Sequence, residues 1–467
     1  MASFYVENFG CRAAQADGRA IEEQFRCRGL ERASSAESAR LVVLNTCAVT
    51  DSAEQDARAA IRRIRRINPG CRVVVTGCYA QRAPRELAAL PGVALVIGNS
   101  HKHDLAQIAL APHSEKDSSK RGSWVPLSSL AASSGESIFV SDIFAHTELV
   151  AAPVFDCAQE RTRPNLKVQD GCNHRCSFCI IPFLRGPTRS LKLEEVLAQV
   201  NELVAAGYQE VVISGINLGR WGRDLPPSGP HPPKLEHLVQ AILDATALRK
   251  LRISSVEPMD WSDSLIQLMA DSSRIAKHAH VPLQSGSDHV LRRMHRKYRP
   301  WHYREKIGKI RAAMPAAAVG ADVMVGFPGE TPAEFEETRR MVEELPFTYL
   351  HVFPFSPRPG TPAASMPGQV PVNLRRERSR ILRELAAEKK QAFMRGLLGE
   401  RLEAITLGEV FEDSRGTWTR ALTDNYLKLR LKGRHAANQW LEARADSIFE
   451  GELAGEAAGI NFPSPAA

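Results

Sequence analysis

Cys172, Cys176 and Cys179 lie on one short stretch, Asp170-Gly-Cys-Asn-His-Arg-Cys-Ser-Phe-Cys-Ile-Ile-Pro182, in the spacing C-x3-C-x2-C. Cysteine thiolates are the ordinary ligands of iron–sulfur clusters, normally four to a cluster. A local set of three on a [4Fe–4S] cube leaves one iron open to a small chelating ligand. The amino and carboxylate groups of S-adenosylmethionine can chelate that iron. An electron from the cluster then breaks the sulfonium bond and gives a carbon radical. The competing chemistry is a zinc knuckle. That usually shows paired C-x2-4-C units and a fourth Cys or His at matching spacing. The local candidate, His174, falls between two of the cysteines, where the geometry is poor.

Three more cysteines share a context. Cys11 in Phe9-Gly-Cys11, Cys47 in Asn45-Thr-Cys-Ala-Val-Thr50 and Cys78 in Thr76-Gly-Cys-Tyr-Ala-Gln81 each follow a short apolar run. Those runs are Phe4–Val6, Leu41–Leu44 and Arg72–Thr76, and helix-like stretches follow near 14–28, 51–67 and 82–90. Strands alternating with helices predict a parallel sheet. Ligands of such sheets gather at the carboxyl ends of the strands. The pattern therefore predicts that Cys11, Cys47 and Cys78 converge and hold a second cluster. Strand ends also suit small buried residues, but three of three beside Gly or Thr is hard to produce by chance. Cys71 and Cys78 bracket one strand of roughly 23 Å and cannot share a cluster. Cys71, Cys27 on a helix and Cys157 in a connector are read as structural. The helix from Asp51 carries acids first and Arg58, Arg62, Arg63, Arg65 and Arg66 later, as the helix dipole favours. Its basic face fits solvent and RNA equally well.

The elements that must position Cys172–Cys179 come next in the chain. Six strand-like runs recur at 165–170, 210–215, 250–256, 277–283, 318–326 and 349–355. Helix-like segments at 192–206, 234–246, 301–313 and 332–344 separate them. Repeated units of this kind wrap into a barrel, with the active site where the strands end. Six units rather than eight imply a partial, laterally open barrel that would admit a macromolecule. The strand ends are polar or Gly-rich. Glu257 and Gln284 are placed to bind polar groups of a cofactor, with Phe178, Asn217 and Phe327 on the same rim. Gly215 would let backbone approach a ligand closely.

Beyond a basic segment from Arg375 to Lys390, four alternating runs at 401–410, 416–423, 426–431 and 439–448 predict a small antiparallel barrel. In Leu427-Lys-Leu-Arg-Leu-Lys432, Lys428, Arg430 and Lys432 share one face. That face suits a phosphate backbone or plain solvent. The tail from Ala454 reads as disordered. The expected domains are 1–110, a flexible linker at 111–160, 161–388, 389–455, and a tail at 456–467. The fold class is α/β, with the small antiparallel barrel appended. The net charge of +8 permits a polyanionic partner such as RNA. No apolar run is long enough to span a membrane. Nine cysteines without a signal-peptide pattern argue for metal or redox use in a reducing compartment, hence a cytoplasmic protein.

The cysteine loop resembles the radical S-adenosylmethionine superfamily signature. Its flanks, Gln169–Asn173, Phe178–Pro182 and Arg185-Gly-Pro-Thr-Arg-Ser190, are similar to those of the methylthiotransferases. The contexts of Cys11, Cys47 and Cys78 resemble that family's N-terminal domain, which carries an auxiliary [4Fe–4S] cluster. Arg12 and Ala14 depart from the usual Lys and Asn there, while Gln15 and Asp17 fit. The C-terminal segment resembles the TRAM domain, an RNA-binding module. Ile213–Asp224, Arg252–Pro258 and Asn45–Thr50 resemble the branch that modifies threonylcarbamoyladenosine of tRNA, with Trp221 standing where a tyrosine is usual. The resemblance implies two [4Fe–4S] clusters and two uses of S-adenosylmethionine. One molecule methylates sulfur held at the auxiliary cluster. Another yields the 5′-deoxyadenosyl radical, which takes hydrogen from C2 of the adenine at tRNA position 37. It also implies a sulfur source and an electron donor such as a flavodoxin or ferredoxin. The alternatives are isopentenyladenosine or a ribosomal-protein aspartate as target, and a non-catalytic iron–sulfur protein that binds RNA or passes electrons.

Overall fold

A computed structural model describes residues 3–111, 137–146, 149, 162–227 and 231–458. The chain forms two compact units, Met1–Ala152 with Ile180–Pro187, and Pro153–Cys179 with Thr188–Ala467.

The first unit is built on strands β1 (Ser3–Asn8), β2 (Glu31–Arg32), β3 (Leu41–Thr46), β4 (Arg72–Gly77), β5 (Val93–Gly98) and β6 (Ile138–Phe139). All pair in parallel, in the order β2-β1-β3-β4-β5-β6. The central strands are apolar on both faces, as covered parallel strands must be. Val42, Leu44, Val73 and Val75 face one core with Ala57, Ile61 and Ile64. Val43, Val74 and Leu95 face the other with Ile21 and Phe25. Ile61 and Ile64 repeat at helical spacing along the helix Asp51–Ile67, and each contributes about 1.5–3 kcal/mol by burial. Thr50 caps that helix by accepting the Ala53 N–H at 3.2 Å. On its outer side Arg63 pairs with Glu7 at 2.6 Å and Arg58 with Glu86 at 3.2 Å.

Two expectations change here. Strand β5 adds a fourth long parallel strand without a cysteine. The connector expected at 111–160 is not uniformly free of structure, because Ile138–Phe139 pairs with Val96–Ile97. Its other stretches at 112–136, 147–148 and 150–161, including Cys157, lie outside the described residues.

The second unit holds β7 (Asn165–Asp170), β8 (Arg189–Ser190), β9 (Glu210–Gly215), β10 (Lys250–Ile253), β11 (His278–His280), β12 (Ala318–Val325) and β13 (Tyr349–Pro354). Six of these are the predicted strands. They run β10-β9-β7 and β11-β12-β13, all parallel, with β8 antiparallel on the free edge of β7. Parallel bridges Leu251–Ile275 and Ser255–His280 join the two sheets into one arc. The helices Leu193–Ala205, Leu235–Ala245, Pro300–Ala313 and Pro332–Glu344 match expectation. Among the described residues no ladder closes β13 onto β7. The helix Val372–Arg395 runs along β13, with Arg383 donating to the Val352 carbonyl at 3.0 Å.

A closed barrel follows: β14 (Arg401–Asp413), β15 (Gly416–Thr423), β16 (Lys428–Lys432), β17 (Trp440–Phe449) and β18 (Glu452–Ala457), in the order β14-β15-β16-β18-β17. Its core includes Leu429, Leu431, Leu441 and Leu453. The expected disordered tail is corrected at its start. Ala454 and Gly455 pair with Arg430 and Leu431, so the chain stays ordered through β18. Residues 459–467 lie outside the described part. Arg252 of β10 anchors this barrel. Its guanidinium is fully buried, bonds Glu210 at 2.6 Å and donates to the Asp424 carbonyl at 3.0 Å.

Candidate active site and cluster sites

The loop bearing Cys172, Cys176 and Cys179 leaves β7 at Gly171, whose φ is +72°. Gln169 ties the loop down. Its amide donates to the carbonyls of Asp170 and Gly171, and its oxygen accepts the Asn217 N–H at 2.7 Å. Further along, Ser177 is buried. Its N–H bonds the Met294 carbonyl at 3.1 Å and its hydroxyl the Arg293 carbonyl at 2.7 Å. The Cys179 N–H closes a turn on the Cys176 carbonyl. The sulfurs have polar neighbours. Cys172 Sγ receives the His174 N–H at 3.4 Å and the Asn217 amide at 3.6 Å. Cys176 Sγ receives Arg296 at 3.3 Å, and the other arm of Arg296 bonds Glu257. Burial pushes the Cys172 thiol up, and the two donors pull it partly back. Burial, then Arg220 and Arg296, hold His174 down to about 4, a neutral imidazole.

These residues fit an iron–sulfur cluster with a polar cofactor beside it. Three thiols sit on one loop with charged and amide donors toward sulfur, the kind of bonding that tunes such clusters. Two buried acceptors, Asn217 Oδ1 and Gln284 Oε1, lack a hydrogen-bond partner within the protein. An unsatisfied buried acceptor costs about 1–3 kcal/mol. Bound donors, such as an amino group or ribose hydroxyls, would remove that penalty. Gln284 also holds a left-handed backbone, φ +61°, uncommon outside glycine and typical of a functional constraint.

The first unit assembles its own trio. The register aligns Asn45 with Asn8 and Thr76, and Thr46 with Gly77. Cys47 and Cys78 therefore leave adjacent strands at one level. Gly10 stands just before Cys11, and a Cβ there would lie 2.9 Å from Cys47 Sγ. Gly77 has φ +96°, and a Cβ there would lie 2.3 Å from the Thr46 carbonyl oxygen. Asn99 reaches Cys78 Sγ at 3.6 Å. Burial, then the neighbouring Cys78, push the Cys47 thiol up to about 11. Thiols this reluctant to ionise bind metal with proton release. Beside them Asp17 accepts from Lys102 and Arg185, each at 2.9 Å, all three buried. The trio fits a cluster held by three cysteines.

Other predicted residues sit differently. Gly215 does not open space for a ligand, because the atoms a side chain would strike belong to Gln169, at 2.7 Å. Phe327 is fully buried in a core with Met294, Met324 and Phe355. Its ring meets that of Phe178 edge-on, with centroids 6.5 Å apart. Glu257 is engaged by Arg296. Arg430 is corrected as a phosphate contact. It is buried against Glu452 at 3.2 Å, with Glu450 and Asp413, and lies over the rings of Phe411 and Phe449. Lys428 and Lys432 stay exposed, Lys428 pairing with Glu452 at 3.5 Å and Lys432 donating to Glu456 at 2.6 Å. Gln169, Arg296, Asn99 and Lys102 were not legible in spacing. Each works through a partner distant in sequence.

The chain matches the uncharacterized protein family UPF0004 over residues 3–98 and the radical SAM superfamily over residues 166–342. It is 36% identical over 433 residues to the threonylcarbamoyladenosine tRNA methylthiotransferase MtaB of Bacillus subtilis, covering 93% of this chain and 91% of that one. The protein of the same name from Rickettsia prowazekii is 35% identical over 449 residues, 96% of each. Among solved structures, the radical S-adenosylmethionine methyltransferase TsrM of Kitasatospora setae, with cobalamin and a [4Fe–4S] cluster bound, superposes with a TM-score of 0.53. It is 14% identical and covers 78% of this chain and 77% of that one, a likeness of fold.

Proposed function

The chain belongs to the radical S-adenosylmethionine tRNA methylthiotransferases, enzymes that transfer a methylthio group, and from that premise we propose that it methylthiolates C2 of N6-threonylcarbamoyladenosine at tRNA position 37. The observation that carries this reading is the pair of three-cysteine sets, each gathered by its own fold unit. Cys172, Cys176 and Cys179 hold the cluster that cleaves S-adenosylmethionine. Cys11, Cys47 and Cys78 hold the auxiliary cluster. When bound, these groups supply a 5′-deoxyadenosyl radical and a methylated sulfur. The chain's own residues hold and orient them. Asn217 and Gln284 offer acceptors to the cofactor. Phe178, backed by Phe327, presents an aromatic edge beside Cys179. Arg296 compensates negative charge at Cys176. Asp17, Lys102 and Arg185 set the charge around the auxiliary trio.

The relatives' names support the choice of nucleoside. A sulfur source and a low-potential electron donor, such as a flavodoxin or ferredoxin, complete the reaction in the cytoplasm. Among the described residues no helix is long and apolar enough to cross a membrane. The test is nucleoside mass spectrometry of tRNA from a strain lacking the gene. Loss of the 2-methylthio form of threonylcarbamoyladenosine alone is expected. Loss of methylthiolated isopentenyladenosine instead would reassign the substrate.

A further inference from the structure

A second constellation, with no cysteine in it, lies on the inner face of the arc. The ladder pairs His280 with Gly320, Gly320 with Tyr349, and Asp322 with His351. Side chains alternate along a strand, so His280, Asp322 and His351 share one face. The opposite face carries Ala279, Val319, Ala321 and Val323, all fully buried. One imidazole nitrogen from each histidine and a carboxylate oxygen of Asp322 lie within 4.8 Å of one another. His280 Nε2 is 3.4 Å from Asp322 Oδ1.

The state of His280 gives the independent sign. It is 8% exposed, and its Nε2 is buried without a hydrogen-bond partner. Its other nitrogen, Nδ1, is 2.9 Å from the Ser255 hydroxyl. A histidine whose Nδ1 is held by a neighbour presents Nε2 as a fixed ligand, the usual outer support of a metal-bound imidazole. Tyr349 stacks beside it with ring centroids 6.0 Å apart. Gly320 makes that possible, because a Cβ there would lie 2.1 Å from the Tyr349 ring.

We propose that His280, Asp322 and His351 form a binding site for a divalent first-row transition cation, of the Zn2+ or Fe2+ kind, on the inner face of the barrel. Two imidazoles and one carboxylate are the donor set such cations accept. Metal–ligand bonds of about 2.0–2.2 Å require neighbouring donors roughly 3–4 Å apart, which small side-chain rotations achieve here. Three protein ligands leave at least one position open to an oxygen ligand entering the barrel. The site shares no residue with the cysteine trios and uses no sulfur.

The test uses cluster-loaded protein under anaerobic conditions, dialysed against Zn2+ at micromolar concentration. Bound zinc is measured by elemental analysis and its donors by zinc-edge X-ray absorption. About one zinc per chain, with nitrogen and oxygen at about 2.0–2.1 Å and no sulfur shell near 2.3 Å, is expected. The variant H280A/H351A should bind at least tenfold less zinc while keeping its iron and labile sulfide. The milder D322N, close in shape to wild type, should also bind less, and decides the matter if the double variant fails to load iron. Zinc bound only through sulfur, no zinc bound by wild type, or D322N binding as wild type does, would each overturn the proposal.

Discussion

Cys176 has two neighbours of consequence, Arg296 on its sulfur and the turn to Cys179. Neither can replace a thiolate as an iron ligand. Cys176→Ala should therefore lose one cluster and all cleavage of S-adenosylmethionine, read by iron counting and 5′-deoxyadenosine release on reconstituted protein. Unchanged iron content would remove the assignment. Cys47→Ala separates the two chemistries. Cleavage should persist while methylthiolated nucleoside falls below detection, both measured in one anaerobic reaction. Product at the wild-type rate would take the sulfur-carrying role away from the first unit. Both cysteine trios stand out as candidates in the sequence because thiols are scarce and their spacing is local, or marked by strand ends. Arg296 and Gln169 do not. Arg296 meets Cys176 across a long stretch of chain, and its own neighbourhood reads as a basic surface run. Gly215 was legible as a close approach but not as to what: Gln169, rather than a ligand, needs the room.

The elements were read more completely than their contacts. The six strands of the arc and four of its helices follow directly from apolar runs punctuated by polar, Gly-rich ends. Strand β5 was missed because it ends in Gly98-Asn99 without a thiol. Strand β18 was missed because Glu-Leu-Ala-Gly-Glu-Ala has little intrinsic preference for a strand. Strand β18 also decides what surrounds β16. Alternation places Lys428, Arg430 and Lys432 on one face, but Glu452 of the unread strand covers Arg430. The three cations should accordingly separate in experiment. Lys428→Ala with Lys432→Ala should lower the slope of log affinity for tRNA against log salt by roughly 1 per lost contact. Arg430→Ala should instead lower the melting temperature, because three acids lose their cation. An unaltered salt slope in the double variant would leave that face to solvent. In the first unit, Gly77→Ala forces a side chain into a left-handed turn against the Thr46 backbone. It should cost about 2–4 kcal/mol in thermal unfolding and lower auxiliary-cluster occupancy. Wild-type stability would show that the turn can relax.

Within the second unit, Arg252 connects two architectures, bonding Glu210 on β9 and the Asp424 carbonyl beyond β15. Removing one partner of a buried ion pair costs about 3–5 kcal/mol. Arg252→Ala should therefore leave Glu210 uncompensated and make the small barrel an early site of limited proteolysis. A cleavage pattern like wild type would show that the other contacts suffice. The placement of β18 has a further consequence, for synthesis. It sits between β16 and β17, parallel to one and antiparallel to the other. Until residue 457 has left the ribosome, both neighbours present naked edges of unpaired amides and carbonyls, templates for pairing with another chain. Closure thus waits on six residues. A stop codon placed before Glu452 would yield a protein that carries both cysteine trios, yet is prone to aggregate.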